Sequence, residues 1–320
     1  MKSSEHELLL PPVEEENICL PLSINAVSKY WNVDLPLSEA IEIAKKYPNV
    51  NGSILIEGIE LAERHGLGSS ILHSSISELK KIIDMGIPPI VILPGLHDII
   101  QHASIISGYD DGEKTIIHYI PQQHKEDQFQ IGVIPEKKFD SLWEEDGRLM
   151  IILAPLDILS EIKIGDKKLD KSNRLCFVSE RLNIQRKSDE AIQSLKKAIE
   201  IDNKNSTAFA LLGGILNEQN SSECIKYYEK SIAINDRCYL AYRGLGNYYL
   251  KNKQYDKAEQ YYTKAIEINP TRFGPIYKNR GLVRLEQKKT IEAKQDFENY
   301  LKYTPNAKDK QSILQALREF

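Results

Sequence analysis

The chain has 320 residues, enough for two domains of ordinary size, and a formal net charge of −4. Residues 1–155 carry 12 Lys+Arg against 24 Asp+Glu, a net of −12, whereas residues 156–320 carry 30 against 22, a net of +8. The acidic first half argues against nucleic-acid binding. The basic second half could bind an acidic peptide or dock onto the acidic half. Its charges could equally lie on solvated helix faces that have no partner.

The first twelve residues lack a basic stretch leading into a long apolar run, so we expect no secretory signal. The apolar windows are strand-sized, which predicts no membrane span. Cysteines 19, 176, 224 and 238 show neither paired nor metal-ligand spacing. We therefore expect a cytoplasmic protein with no metal and no cofactor.

The N-terminal half is predicted to be an α+β domain, with helices first and a sheet afterwards. Helical periodicity covers Leu20–Trp31, Leu37–Tyr47, Ile54–His65 and Ile76–Met85. Short apolar runs then predict strands over Pro88–Pro94, His102–Gly108, Lys114–Ile120 and Arg148–Leu153. Residues 110–112, Asp-Asp-Gly, predict a hairpin turn between two of these strands.

Two residues of this half form a candidate catalytic pair. Cys19 precedes the first predicted helix, where unpaired N–H groups and the helix dipole lower a thiol pKa. His102 opens a predicted strand 83 residues later. A cysteine at a helix start facing a histidine is the minimal arrangement for a thiolate nucleophile with its general base. Taken singly, each residue is more often a buried structural side chain.

The blocks around both residues resemble a known family. Cys19-Leu20-Pro21 and the run from His102 to Asp110 are similar to two motifs of papain-like cysteine peptidases that remove double-glycine leader peptides. Phe139 to Trp143 is similar to the tail of that domain, and the resemblance covers about 12–155. It implies a papain-like fold with Cys19 as nucleophile and His102 as base.

The sequence departs from the family at three positions. Glu14 and Val13 stand where the family has a glutamine that donates to the oxyanion, and Leu20 replaces a glycine. Ile120 stands where an acid orients the histidine, and loss of that acid costs several orders of magnitude in rate. Asn17 or Gln101 could substitute as donors. We therefore expect a degenerate peptidase-like domain that binds, with an active peptidase or amidase as the alternative.

Residues 239–272 carry a 34-residue repeat pattern with every signature position filled. The signature positions are Tyr242, Leu245, Gly246, Tyr249, Ala258, Tyr262, Ala265 and Pro270. Small residues let the two helices of a hairpin approach, and the proline ends the second helix. The pattern resembles the tetratricopeptide repeat, and partial copies lie before and after it within about 170–320. Because one such unit cannot bury its own apolar face, we expect a four-repeat helical solenoid.

The first helices of such an array present a face to a peptide or protein partner. We predict that this face includes Leu240, Arg243, Asn247, Leu250, Lys278, Asn279, Leu282 and Leu285. Arg243, Asn247 and Asn279 are similar to half of the carboxylate clamp that some of these domains use for a peptide C-terminus. Asparagine is also ordinary at these positions, and no later repeat supplies the remaining basic residues.

The predicted organisation is a peptidase-like domain over 1–155, a linker over 156–171, four repeats over 172–307 and a capping helix over 308–320. The predicted function is a cytoplasmic adaptor whose repeats recruit a peptide or protein. The alternative is a cysteine peptidase whose repeats recruit its substrate to Cys19 and His102. We expect no nucleic-acid or membrane partner, and the sequence leaves the oligomeric state open.

Overall fold

The computed structural model describes Leu8 and residues 19–47, 54–95, 101–120, 130–162 and 166–319. The chain forms two units, which are described separately. Unit 1 comprises Met1–Leu93 and His102–Ala208, and unit 2 comprises Pro94–Gln101 and Phe209–Phe320.

The four helices predicted for the N-terminal half are present in unit 1. They are α1 (Cys19–Tyr30), α2 (Leu37–Lys45), α3 (Leu55–Arg64) and α4 (Ile76–Asp84). Helices α2 and α4 have one buried face, whereas α1 and α3 are buried around most of their circumference. The Ser75 side chain accepts a hydrogen bond from the Glu78 N–H and so caps α4.

The sheet has six strands, which are β1 (Leu67–His73), β2 (Ile90–Pro94), β3 (Gln101–Asp110), β4 (Thr115–Ile120), β5 (Gln130–Pro135) and β6 (Leu149–Pro155). Their order is β1-β6-β2-β3-β4-β5, and β1 and β2 pair antiparallel with β6, as β4 does with β3 and β5. In the β3–β4 turn the Asp110 carboxylate accepts the N–H groups of Gly112 and Glu113, which confirms the predicted hairpin.

The expectation that all helices precede the sheet is wrong, because β1 lies between α3 and α4. The sequence of β1, Leu-Gly-Ser-Ser-Ile-Leu-His, contains residues that disfavour strands and gave no strand prediction. Its pairing with β6, from Leu67 opposite Pro155 to His73 opposite Leu149, supplies the missing stability. The prediction likewise omitted β5 and the helix α5 (Glu136–Glu144) that follows it.

Helices cover both faces of this sheet. On β6, Ile151 and Leu153 belong to the core that contains the apolar residues of α1, α2 and α3. Met150 and Ile152 belong to a second core with residues of α4 and α5. A strand buried on both faces reads as one continuous apolar run, which is how β6 was recognised.

The region predicted as a linker contains helical structure. Helix α6 (Leu156–Glu161) follows β6 directly, and α7 (Lys167–Ile184) starts five residues before the predicted start of the repeats at 172. The Asp166 side chain caps α7 by accepting the N–H of Lys168. Helix α8 (Ser188–Ile201) packs on α7, so the first helix pair of the repeat region belongs to unit 1.

Helix α7 closes the free edge of the sheet at β1. The Asp170 carboxylate accepts the N–H of Ile71, and the Asn173 amide donates to the Ile71 carbonyl at 2.8 Å. Side chains of a helix thus replace the hydrogen bonds of a neighbouring strand, which leaves this edge unavailable to another chain.

Ion pairs join the same helix to α3. Arg174 pairs with Glu63, and Arg181 contacts Glu60 at 2.6 Å and Glu57 at 3.6 Å. The basic residues here belong to the second half of the sequence and the acidic ones to the first. These contacts are confined to α7 within unit 1, and docking of the repeats onto the acidic half stays a prediction.

Unit 2 contains consecutive helical hairpins. Its helices are α9 (Ser206–Glu218), which begins at the end of unit 1, α10 (Cys224–Ile234), α11 (Tyr239–Lys251), α12 (Tyr255–Ile268), α13 (Pro275–Glu286), α14 (Thr290–Tyr303) and α15 (Lys310–Glu319). A Cβ on Gly246 would lie 2.6 Å from the Tyr262 ring, so the close helix approach that the small residue predicted is present. The helix α15 lies in the predicted capping segment.

Candidate functional site

The predicted partner-binding residues of unit 2 lie on α11 and α13. The Asn247 carbonyl oxygen accepts the Tyr262 hydroxyl at 2.7 Å and the Asn279 amide at 3.4 Å. The two asparagines that the sequence placed in different repeats are therefore neighbours. Tyr262 was predicted only as a core residue, but its hydroxyl also fixes the orientation of Asn247.

Arg243 is the least compensated charge at this site. Its half-buried guanidinium lies over the Phe273 ring at 4.9 Å, and no carboxylate pairs with it among the described residues. Burial lowers the pKa of Arg243, and the nearby positive charge of Arg272 acts in the same direction. Arg272 is itself fully buried and lies over Tyr239 at 4.8 Å. Each of these two guanidinium groups therefore lies over the face of an aromatic ring.

The other predicted partner-binding residues differ in charge compensation and in exposure. Lys278 pairs with Asp309 at 2.8 Å and lies over the Tyr300 ring, so its charge is already compensated. Leu282 is 44% exposed, whereas Leu240 is half-buried. A partner would thus meet a free cation at Arg243, amides at Asn247 and Asn279, and an apolar side chain at Leu282.

In unit 1 Cys19 packs against the core that contains Ala103, the residue next to His102. Cys19 starts α1, where the backbone N–H groups of Ala103 and Leu20 act to lower the pKa of its thiol. Burial nevertheless raises the pKa of the Cys19 thiol above its ordinary value, so the lowered pKa expected from the helix start is absent. Leu20 is 2% exposed and packs toward Gly58 of α3, as part of the core.

His102 lies with other polar groups of β3 and β4. Ala103 and Ile105 belong to the core beneath α1, so strand alternation directs His102 and Ser104 to the opposite face. There the Ser104 hydroxyl and the His118 Nδ1 lie 3.1 Å apart. Burial lowers the pKa of His102. Burial also lowers the pKa of His118, to about 4, and the positive charge of His102 acts in the same direction. A Cys19–His102 ion pair stays a prediction.

Several other sequence expectations lie outside the described residues. They concern Val13, Glu14, Asn17 and the side chain of Ile120. Within the described ranges, no three His, Cys, Asp or Glu residues are grouped as metal ligands. No helix in that part of the chain is long and apolar enough to cross a membrane.

Comparison with known proteins identifies the repeats. The tetratricopeptide repeat family matches residues 239–272 and 184–205. Anaphase-promoting complex subunit 3 of Schizosaccharomyces pombe is 32% identical over 30% of this chain and 14% of its own length. The type IV pilus assembly protein PilF of Pseudomonas aeruginosa is 30% identical over 37% of this chain and 48% of its own length. The chain thus spans less than half of either relative.

A solved structure of Pseudomonas aeruginosa PilF covers 48% of this chain and 72% of its own, with 24% identity and a TM-score of 0.44. That overlap is too partial to bear on the architecture. The family matches, the filled signature of residues 239–272 and the helical hairpins agree with one another. The C-terminal region of this chain therefore contains tetratricopeptide repeats, which imply a role as a protein-interaction adaptor.

Proposed function

We propose that this chain is a cytoplasmic adaptor that binds a peptide segment of a partner protein on the first-helix face of unit 2, with a partner carboxylate at Arg243. The observation that carries the proposal is the half-buried Arg243 guanidinium without a carboxylate among the described residues. The degenerate peptidase-like domain of unit 1 serves as a further binding module.

The physical argument rests on desolvation. A guanidinium that has lost part of its hydration is stabilised by a carboxylate, which it can bind through two parallel hydrogen bonds. Phe273 offers only the face of a ring, and Arg272 adds a second positive charge. The Asn279 amide keeps a second hydrogen that can bind a peptide carbonyl. An acidic residue of the partner therefore suits this face better than a basic or apolar one.

The test uses two pools of fluorescein-labelled degenerate decapeptides, one with a fixed central aspartate and one with asparagine there. Fluorescence anisotropy should show tighter binding of the aspartate pool to the wild-type chain, and Arg243→Gln should weaken it about tenfold. Lys264→Gln removes the same charge from an exposed pair with Glu267 and is the matched control. Equal binding of both pools, or no binding, would reject the proposal.

The second candidate is a cysteine peptidase or amidase with Cys19 as nucleophile and His102 as base, to which the repeats recruit substrate. The observation that favours it is the position of Cys19 at the start of α1, where backbone N–H groups of Ala103 and Leu20 act to lower the pKa of its thiol. Such groups stabilise a thiolate and can also hold an oxyanion. The burial that raises the pKa of Cys19 opposes it, as does the direction of the His102 side chain toward the face of the sheet opposite α1.

The two candidates predict different reactivity of Cys19. We would measure the pH dependence of its alkylation by mass spectrometry, in the wild type and in His102→Ala. A thiolate pKa well below the free value of about 8.5, lost in the variant, would establish the ion pair and favour the peptidase. If alkylation of Cys19 is slow and does not change in His102→Ala, the result would favour the binding module over the peptidase.

A further inference from the structure

Helix α15 occupies the place of a first helix in the repeat array. The interval of 35 residues from Gly246 on α11 to Gly281 on α13 leads next to Ala316 on α15. Six residues separate α12 from α13, and six also separate α14 from α15. The pairing of Lys278 with Asp309, the residue before α15, holds the start of this helix beside α13. Helix α15 can therefore contribute to the same partner-facing surface as α11 and α13.

The partner-facing surface changes from polar to apolar along these three helices. Two equivalent positions, one helical turn apart, show the change: Arg243 and Asn247 on α11, Lys278 and Leu282 on α13, and Ile313 and Leu317 on α15. The first pair is charged and polar, the second is mixed, and the third is apolar. The polar site of α11 is thus continued by an apolar surface toward α15.

The contact between α11 and α13 indicates how α13 meets α15. The Asn279 amide of α13 lies 3.4 Å from the Asn247 side-chain oxygen of α11. The residues 35 positions further along the chain are Leu314 of α15 and Leu282 of α13. Because the repeats stack in the same way, these two leucines are expected to be neighbours, as the two asparagines are.

The apolar side chains of this surface are only partly covered. Leu282 is 44% exposed. In the described part of α15, residues 310–318, no residue is buried, and both Leu314 and Leu317 are half-buried. Adjacent apolar side chains that stay accessible beside a polar site are typical of a ligand-binding groove. An aliphatic side chain of a partner would lose contact with water here.

We propose that the acidic peptide bound at Arg243 carries a large aliphatic residue three or four positions away, whose side chain binds between α13 and α15. Its contacts there are Leu282, Leu314 and Leu317. The inference rests on the proposed function and deepens it by naming the second anchor of the peptide. Charge complementarity selects this occupant, because the same face carries Arg243, which pairs with no carboxylate among the described residues.

The spacing follows from helix geometry. Arg243 and Lys278 hold equivalent positions on neighbouring first helices, whose axes lie roughly 9 Å apart. Leu282 lies one turn beyond Lys278, about 6 Å along α13. The separation between Arg243 and Leu282 is thus roughly 11 Å, which an extended peptide covers in three or four residues.

The test adds one fixed leucine to the aspartate pool of fluorescein-labelled decapeptides, three or four residues before or after the aspartate. At least one of these four pools should bind the wild-type chain about tenfold more tightly than the aspartate pool, because its leucine leaves water. A pool with leucine directly after the aspartate is the peptide control. Its leucine cannot reach the apolar surface, so the gain should stay below threefold.

Substitutions then locate the leucine-binding residues. Leu282→Ser and Leu317→Ser should each reduce the gain from the peptide leucine to less than threefold, because the apolar contact is lost. Ile291→Ser is the matched control, since it removes an 81% exposed aliphatic side chain from the second helix α14, and it should keep the full gain. Tyrosine near-ultraviolet circular dichroism checks that each variant is folded.

The outcomes distinguish the two proposals. If the aspartate pool binds through Arg243 but no leucine pool binds more tightly, the apolar subsite is refuted and the adaptor function stands. An undiminished leucine gain in Leu282→Ser would also refute the subsite. So would a wild-type dimer in sedimentation velocity that dissociates in Leu282→Ser, because a second copy would then cover the apolar surface. If the wild-type chain binds no peptide, both proposals fail.

Discussion

Asp296 of α14 is the residue whose replacement should most destabilise unit 2. It is 1% exposed and accepts two hydrogen bonds from Arg280, at 3.0 and 2.7 Å, and one from Arg284 at 2.9 Å. Arg284 also pairs with Glu259 of α12 at 2.8 Å. Asp296 therefore joins α14 to α13, and Arg284 extends this network to α12 of the preceding hairpin through Glu259. We consider Asp296→Asn, which keeps the shape and removes the charge.

Removing one member of a buried ion pair typically costs 3–5 kcal/mol, because the partner charge stays buried without compensation. Here the two guanidinium groups keep other acceptors, since Arg280 also donates to Thr263 and Arg284 to Glu259. The low end of the range is therefore appropriate. We expect Asp296→Asn to reduce the free energy of unfolding of unit 2 by about 3 kcal/mol, a shift of roughly 1–2 M in the urea midpoint.

The distribution of aromatic residues allows each unit to be followed separately. Both tryptophans, Trp31 and Trp143, belong to unit 1, whereas 12 of the 16 tyrosines belong to unit 2. Tyrosine near-ultraviolet circular dichroism should therefore report the shift, while tryptophan fluorescence stays unchanged. The matched control is Glu223→Gln, which breaks the ion pair between Lys226 and Glu223. The two side chains are 57% and 59% exposed, so this substitution should not move either urea midpoint.

A change below about 1 kcal/mol for Asp296→Asn would refute the reasoning, since that is the value of a solvent-screened pair. An equal shift in the tryptophan signal would also contradict it, because the network lies wholly within unit 2.

Three further predictions concern stability. Asn173→Leu should destabilise unit 1 by about 1–3 kcal/mol, because a buried carbonyl of β1 loses its donor; an unchanged tryptophan-detected urea midpoint would contradict this. Burial raises the pKa of Glu180 from 4.5 to about 7, so the Glu180 carboxyl alone should cost unit 1 on the order of 2 kcal/mol as pH rises through the window from 4.5 to 7. Because the lowered pKa of His118 acts in the opposite direction, the effect is measured as the difference between the tryptophan-detected pH profiles of the wild type and Glu180→Gln, and coinciding profiles would reject the assignment. Gly246→Ala should destabilise unit 2 by about 1–3 kcal/mol, since the added methyl group would collide with the Tyr262 ring. A higher thermal midpoint in the tyrosine circular dichroism signal would contradict this clash.

The repeat region was predictable because its information is local. Gly246, Tyr262 and Pro270 act within one hairpin, so their spacing alone indicates the helices and the turn between them. The same argument placed Asn247 and Asn279 on one face, and the structure shows their side chains in contact. It gave no role to Asn217, whose amide donates to the Gly244 carbonyl, because that residue lies outside the signature.

The fold of the N-terminal half was less predictable, because several of its elements depend on contacts between residues that are distant in sequence. Periodicity indicated α1 to α4 and the strands that are buried on both faces. The edge strand β1 was missed because it becomes a strand by pairing with β6, which is far along the chain, and the other edge strand, β5, which pairs with the neighbouring β4, was missed as well. The position of Cys19 at a helix start was correctly predicted, but its pKa was not, because burial by the assembled domain outweighs the helix N–H groups.

By itself the sequence determined the repeat class and the charge division. Tertiary structure decided where the first repeat pair belongs. Helix α7 carries a repeat-like sequence, but Asp170 and Asn173 complete the hydrogen bonds of β1, and Arg174 and Arg181 pair with α3. A free strand edge and unpaired acids must find partners, and residues about 100 positions away in sequence supply them.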